Sequence, residues 1–184
     1  LACKCSCIAG ISAIHGGHLH PRSRPLTTEH RAQLTDSGVF MIALIQRVTH
    51  ASLKIDGAEY SRIGQGLVVL LGLERDDTLA AGEKLLGKVL DYRVFADSEG
   101  RMNGSVRDVG GAVMLVSQFT LAASTDKGLR PGFSSAMPPA EAEALYDQLV
   151  TWLQSEHPGT VTGEFGADMK VLLENDGPVS FILR

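Results

Sequence analysis

The chain has 184 residues, a formal net charge of −4, 44% hydrophobic and 21% charged residues. That length and apolar content suit one folded domain and exclude a chain disordered throughout. No apolar run approaches the roughly 20 residues that cross a bilayer, and with the negative balance nothing global advertises nucleic acid, so any RNA contact must be local and modest.

Residues 1–40 differ from the rest. Cys3, Cys5 and Cys7 fall here, as do His15, His18, His20 and His30. No helical or strand period is sustained, and Gly16-Gly17, Pro21 and Pro25 interrupt it. Three readings compete. A metal-binding tail would use Cys3-Lys4-Cys5-Ser6-Cys7 and the histidines, but zinc sites usually leave about two to four residues between paired cysteines. A targeting segment would use Arg22, Arg24 and Arg31, but no continuous apolar core accompanies them. The reading adopted is an extension upstream of a start at Met41, without order of its own. From Met41 onward, 13 Lys+Arg face 19 Asp+Glu, a net of −6, and there is no cysteine. A domain over residues 41–184 therefore needs no disulfide and fits a reducing compartment, the cytoplasm.

Ile42-Ala43-Leu44-Ile45-Gln46-Arg47-Val48 reads as a strand, and residues 51–55 extend it or pair with it. Asp56-Gly57 marks a hairpin whose return strand covers residues 59–63. Gly64-Gln65-Gly66 is a second turn. It is no dinucleotide loop, because the apolar run Leu67-Val68-Val69-Leu70-Leu71 that follows is a strand. Asp76-Asp77-Thr78 caps a helix whose stripe is Leu79, Leu86, Val89, Leu90 and Arg93. Gly82 and Gly87 weaken it by roughly 1 kcal/mol each, so packing must hold it. Val94-Phe95 is a short strand between turns.

Ala112-Val113-Met114-Leu115-Val116 is nearly all apolar, as a strand buried on both faces would be. It leads into Ser117-Gln118-Phe119-Thr120. Polar groups at the end of a buried central strand are a usual place for a site in layered folds; the plainer reading is a strand end satisfied by its own turn. A loop over residues 123–137 carries Lys127, Arg130 and Phe133. Pro138-Pro139 opens a second helix, with Ala142, Leu145, Tyr146, Leu149, Trp152 and Leu153 on one face. Trp152 reads as core. Residues 160–165 and 169–173 read as strands. Two helices among about eight strands predict a layered α/β fold with mixed sheets and helices on one side.

Asn175-Asp176-Gly177-Pro178-Val179-Ser180 then interrupts two apolar runs, Val171-Leu172-Leu173 and Phe181-Ile182-Leu183. By composition this is a tight hairpin turn. Gly177 admits unusual backbone angles, and Pro178 admits a cis peptide bond.

Taken with Ser117-Gln118-Phe119-Thr120-Leu121, this motif changes the reading. From Met41 the chain resembles the D-aminoacyl-tRNA deacylases. Ile45-Gln46-Arg47-Val48, Lys88-Val89-Leu90-Asp91-Tyr92-Arg93-Val94-Phe95, Met102-Asn103 and Gly166-Ala167-Asp168-Met169-Lys170-Val171 carry the likeness too. Residues 1–40 have no counterpart. The resemblance implies a single domain of mixed sheets forming a partial barrel with two main helices. It implies a homodimer in which a cis Gly177-Pro178 bond enters the partner's pocket. There two carbonyls exclude an L side chain and admit a D side chain or glycine. Arg47 orients that motif, and Asn175 belongs to the substrate-binding set. Ser117, Gln118, Phe119 and Thr120 line the pocket for the aminoacylated terminal adenosine, with Met169 near it and Ser180 counted among the catalytic residues. Lys127 and Arg130 are the tRNA-binding candidates. No metal or organic cofactor is implied. Two departures stand out: Ser180 replaces a usual threonine, and Leu129 stands where another basic residue is expected, removing one phosphate contact.

The implied substrate is an activated ester, so catalysis needs chiefly orientation and a home for an oxyanion. The N–H groups near Phe119 and Thr120 are the candidate donors, with the tRNA's own 2′-hydroxyl assisting water. The competing mechanism makes Thr120 or Ser180 a nucleophile and requires a nearby base. After Met41 the histidines are His50 and His157, both read as surface residues. A non-catalytic RNA-binding or dimerisation module is a different class of answer. A serine esterase is another, but no G-x-S-x-G elbow is present.

Overall fold

The structure is a computed structural model that describes residues 41–126 and 128–184. Among these, eight strands and two α-helices follow in the order β1 (Ile42–Ile55), β2 (Ala58–Ile63), β3 (Gly66–Gly72), α1 (Leu79–Asp91), β4 (Phe95–Ala96), β5 (Met102–Gly104), β6 (Ala112–Ser117), α2 (Pro139–Glu156), β7 (Thr160–Thr162) and β8 (Met169–Leu183). The main sheet runs β2-β1-β3-β6-β7, with β8 on the other edge of β1. β4 and β5 form a separate ribbon.

β1 is one continuous strand, so residues 51–55 extend the first run. Its first half pairs with β3 and its second half with β2, while β8 runs antiparallel along nearly all of it. β6 lies between β3 and β7, parallel to both, which explains its nearly uninterrupted apolar sequence.

Side-chain alternation divides the core. Ala43, Ile45, Leu67, Val69 and Leu71 point to the face that both helices cover. Val48, Leu53, Val68, Met114 and Val116 fill the opposite concave face as the sheet curls toward a barrel. Thr78 caps α1, its hydroxyl accepting the Ala81 N–H at 3.3 Å. Gly82 proves to be a packing residue. A Cβ there would lie 2.5 Å from Leu149 Cδ2, so the missing side chain lets α1 and α2 approach. Trp152 is half-buried and packs against this core.

Two sequence expectations are corrected. The strand predicted over residues 160–165 ends at Thr162; Phe165 turns away, its ring 5.9 Å from that of Tyr146. The hairpin predicted at residues 176–178 is absent. The apolar runs on either side both pair antiparallel with β1 as parts of β8. Between them Asn175 sits opposite Val48 and Ser180 opposite Gln46, so residues 176–179 bulge out against Arg47 alone.

Candidate active site

The first part of the site grows from β6. Its buried residues position Ser117 beside Leu71 of β3, and the Gln118 N–H donates to the Leu71 carbonyl at 2.7 Å. A 3₁₀ turn follows over Phe119–Ala122. The Leu121 N–H returns to the Gln118 carbonyl, and the Ala123 N–H to that of Thr120. The N–H groups of Phe119 and Thr120 lack hydrogen-bond acceptors among the described residues. They are the orphan donors that open any helical turn. The Gln118 carboxamide donates to the Thr120 hydroxyl oxygen.

This strand end borders a cleft of about 730 Å³. Ser117, Gln118 and Phe119 form one wall, and residues 165–169 with Val171 contribute another. Phe119 is 60% exposed, and its ring centroid lies 5.0 Å from that of Phe133 across the rim. The loop carrying Phe133 is tied to the end of β3. The Arg75 N–H donates to the Ser135 carbonyl at 3.0 Å, and the Met137 N–H to the Leu73 carbonyl at 3.1 Å. The Ser135 hydroxyl donates to the Ala122 carbonyl.

The second part is the β8 bulge. Gly177-Pro178 is cis, and Gly177 has φ +119°. The alternation that sends Ala43 and Ile45 beneath the helices sends Arg47 there too. Arg47 Nε meets the Asp176 carboxylate at 3.0 Å and the Asp176 carbonyl at 3.3 Å, while Nη1 donates to the Val94 carbonyl. One guanidinium thus joins the bulge to the segment after α1. Asn175 braces the bulge from within: its Oδ1 accepts the Val179 N–H at 3.0 Å, and its Nδ2 donates to Ser180 Oγ at 3.0 Å. Gln46 Nε2 lies 3.5 Å from the same hydroxyl. Gly177 and Pro178 are exposed.

The site residues read from sequence therefore fall into two groups. Ser117, Gln118, Phe119 and Met169 line the cleft. Thr120 adjoins it through Gln118. Arg47, Asn175, Gly177, Pro178 and Ser180 belong to the bulge, and none of them lines the cleft of the same chain. Arg130 is exposed on the loop, beside a fully exposed Leu129. Lys127 and residues 1–40 lie outside the described residues. His50 is exposed as expected, but His157 is half-buried, with Nε2 2.9 Å from the Gly111 carbonyl. Sequence reasoning did not assign Phe133 or Arg75 to the site. Phe133 was only a loop residue, and Arg75 was hidden in the acidic cap Glu74-Arg75-Asp76-Asp77.

A family model described as D-Tyr-tRNA(Tyr) deacylase matches residues 44–184. The chain belongs to that family. A D-aminoacyl-tRNA deacylase of Stutzerimonas stutzeri (strain A1501) is 56% identical over 144 residues, covering 78% of this chain and 99% of that protein. The one from Saccharophagus degradans is 54% identical over 143 residues, covering 78% and 99%. Among solved structures, one titled c-Myc DNA Unwinding Element Binding Protein superposes with TM-score 0.75 at 40% identity, covering 78% of this chain and 97% of that chain. A probable eukaryotic D-amino acid tRNA deacylase superposes with TM-score 0.69 at 17% identity, covering 78% and 98%, and shares the fold. In this deacylase-family chain the aligned regions include both the β6 end and the β8 bulge.

Proposed function

We propose that this chain hydrolyses the ester of D-aminoacyl-tRNA, releasing the D-amino acid and tRNA. The observation that carries this reading is the end of β6. Ser117-Gln118-Phe119-Thr120 opens onto a cleft and presents two N–H groups without acceptors. Such donors stabilise the oxyanion formed when water attacks an ester carbonyl. The exposed ring of Phe119 offers the terminal adenine a stacking face, a contact worth about 1–3 kcal/mol per base.

Water is the attacking group, assisted by the 2′-hydroxyl of the substrate. The hydroxyls of Ser180 and Thr120 both receive hydrogen bonds from carboxamide N–H groups. A carboxamide donor is no base, so neither hydroxyl is set up for attack. Among the described residues His50 bonds Thr49 and His157 bonds Gly111, away from both hydroxyls.

Chirality is read by the Gly177 and Pro178 carbonyls. They reject an L side chain by overlap and tolerate a D side chain or glycine, so glycine mischarged on tRNA-Ala is a substrate too. Because the bulge does not line its own chain's cleft, the active unit is a homodimer in which each bulge enters the other cleft. β8 supports this: among the described residues it is an edge strand that pairs with β1 alone, and it exposes Leu172 and Ile182. The enzyme works without a metal or organic cofactor, in the cytoplasm where its substrate is made. Among the described residues, no helix is long and apolar enough to cross a membrane. A duplex-DNA role finds no support in the −6 balance from Met41 onward.

The test is incubation with D-tyrosyl-tRNA and with a nitrophenyl ester, alongside light scattering. Fast release from the tRNA, little from the simple ester and a dimeric mass are expected. Equal turnover of both esters would mark a generic esterase, and binding without turnover an RNA-binding module.

A further inference from the structure

We infer that Arg75 is a substrate-binding residue, holding the phosphodiester that joins the terminal nucleoside of the tRNA to the rest of the strand. The inference rests on the proposed deacylation of tRNA and adds a residue to it.

Arg75 lines the same cleft as Ser117, Gln118 and Phe119. It lies four residues beyond Leu71, whose strand partner is Ser117. Four residues span at most about 14 Å, a gap that one nucleotide and an arginine side chain bridge together. Its position is defined on both sides. The main-chain N–H is held by the Ser135 carbonyl, and Nη2 donates to the Ser134 carbonyl at 3.2 Å. The guanidinium is thereby drawn toward the loop that carries Phe133, with further N–H donors remaining.

Two of the nearby carboxylates are engaged elsewhere, and Asp76, next in sequence, is exposed and forms no ion pair with Arg75 among the described residues. Asp77 accepts the N–H groups of Met41 and Glu74. Asp168, on the far wall, takes Lys170 at 2.9 Å. Burial and Asp77 raise the Glu74 carboxyl, and the cation opposing them is Arg184. No ion pair to Arg75 occurs among the described residues. An exposed arginine at a cleft rim, oriented by main-chain carbonyls and lacking a carboxylate, suits an anion supplied by the ligand. The bases beside it would be held by Phe119, so the anion that reaches Arg75 is the adjoining phosphodiester.

The experiment compares wild type, Arg75→Gln and Arg75→Lys on two substrates, D-tyrosyl-tRNA and 3′-O-D-tyrosyl-adenosine, which lacks the phosphate. With tRNA, Arg75→Gln should raise KM about tenfold with kcat little changed. The slope of log KM against log salt should flatten by about 0.7, the loss of one phosphate contact on a single strand. Arg75→Lys should recover part of the affinity and most of the slope. With the adenosine ester, all three proteins should behave alike. An equal loss on both substrates would make Arg75 a structural support, and no loss on tRNA would remove it from the site. Either result overturns the inference while leaving deacylation standing. A wild type inactive on both esters would overturn the parent reading, and this inference with it.

Discussion

Gly177→Ala tests the bulge most severely. The residue has φ +119°, where an L side chain is strained. A left-handed or similarly rare conformation costs about 1–3 kcal/mol. An added Cβ would also lie 2.8 Å from Val179 Cγ2 and 3.0 Å from an Arg47 nitrogen. Val179 is 7% exposed and β-branched, so it yields poorly. Arg47 yields only by loosening its hold on Asp176 or Val94. Overpacking of this kind costs about 1–3 kcal/mol, bringing the expected loss to roughly 2–6 kcal/mol. At about 2–4 °C per kcal/mol, melting falls by roughly 4–24 °C. Gly100→Ala is the control: φ is +78°, but nothing lies within 4 Å of the new Cβ. It should lose only about 1–2 kcal/mol. Both variants are to be melted and then assayed well below their transitions for single-turnover release from D- and L-tyrosyl-tRNA. Gly177→Ala should be at least about tenfold slower on the D ester or less selective, for about 1.4 kcal/mol or more of barrier, whereas Gly100→Ala behaves as wild type. A Gly177→Ala protein that melts with the control and keeps both rate and selectivity would refute the role assigned to the bulge.

Arg47→Lys keeps the charge but cannot serve Val94 and Asp176 from one planar fork; a loss of about 1–3 kcal/mol and a slower D-specific rate are expected, and unchanged melting and rate would count against Arg47 as the joint. Ser180→Ala should slow the reaction only modestly, because Ser180 Oγ is an acceptor of carboxamide N–H groups; a loss of several orders of magnitude with the fold intact, or a trapped acyl-Ser180, would restore the nucleophile. A chain beginning at Met41 should keep its melting temperature and its rate, since Met41 is fully buried with its N–H on Asp77 at 2.9 Å; unfolding on truncation would make residues 1–40 part of the domain.

Much of this fold was legible because local pattern and burial agree. β3 and β6 are continuous apolar runs and prove to be buried strands. Pro139 opens α2, and the face predicted from Ala142 to Leu153 is the buried one. Thr78 caps α1 as its position suggests. β8 was not legible. A glycine-proline pair between apolar runs has the local chemistry of a turn, and its continuation as a strand is decided by pairing with β1, more than a hundred residues earlier. The end of β7 was not legible either: the strand stops at Thr162, and Phe165 packs near Tyr146, a contact set by tertiary structure. In the site, Ser117 to Thr120 stood out as polar residues ending a buried strand. Arg75 and Phe133 carried no comparable local signal. They reach the cleft because four main-chain and side-chain bonds fasten one loop to the end of β3 and to Ala122. His157 read as surface for the same reason: its acceptor, Gly111, is distant in sequence.

A main-chain bulge that reads the hand of the substrate's α-carbon, as proposed above, must spare the L ester. Single-turnover hydrolysis of D-tyrosyl-, L-tyrosyl- and glycyl-tRNA by the wild-type protein tests it most directly. Fast release of D-tyrosine and glycine with the L ester left intact is the expected result; similar rates on the D and L esters would contradict it.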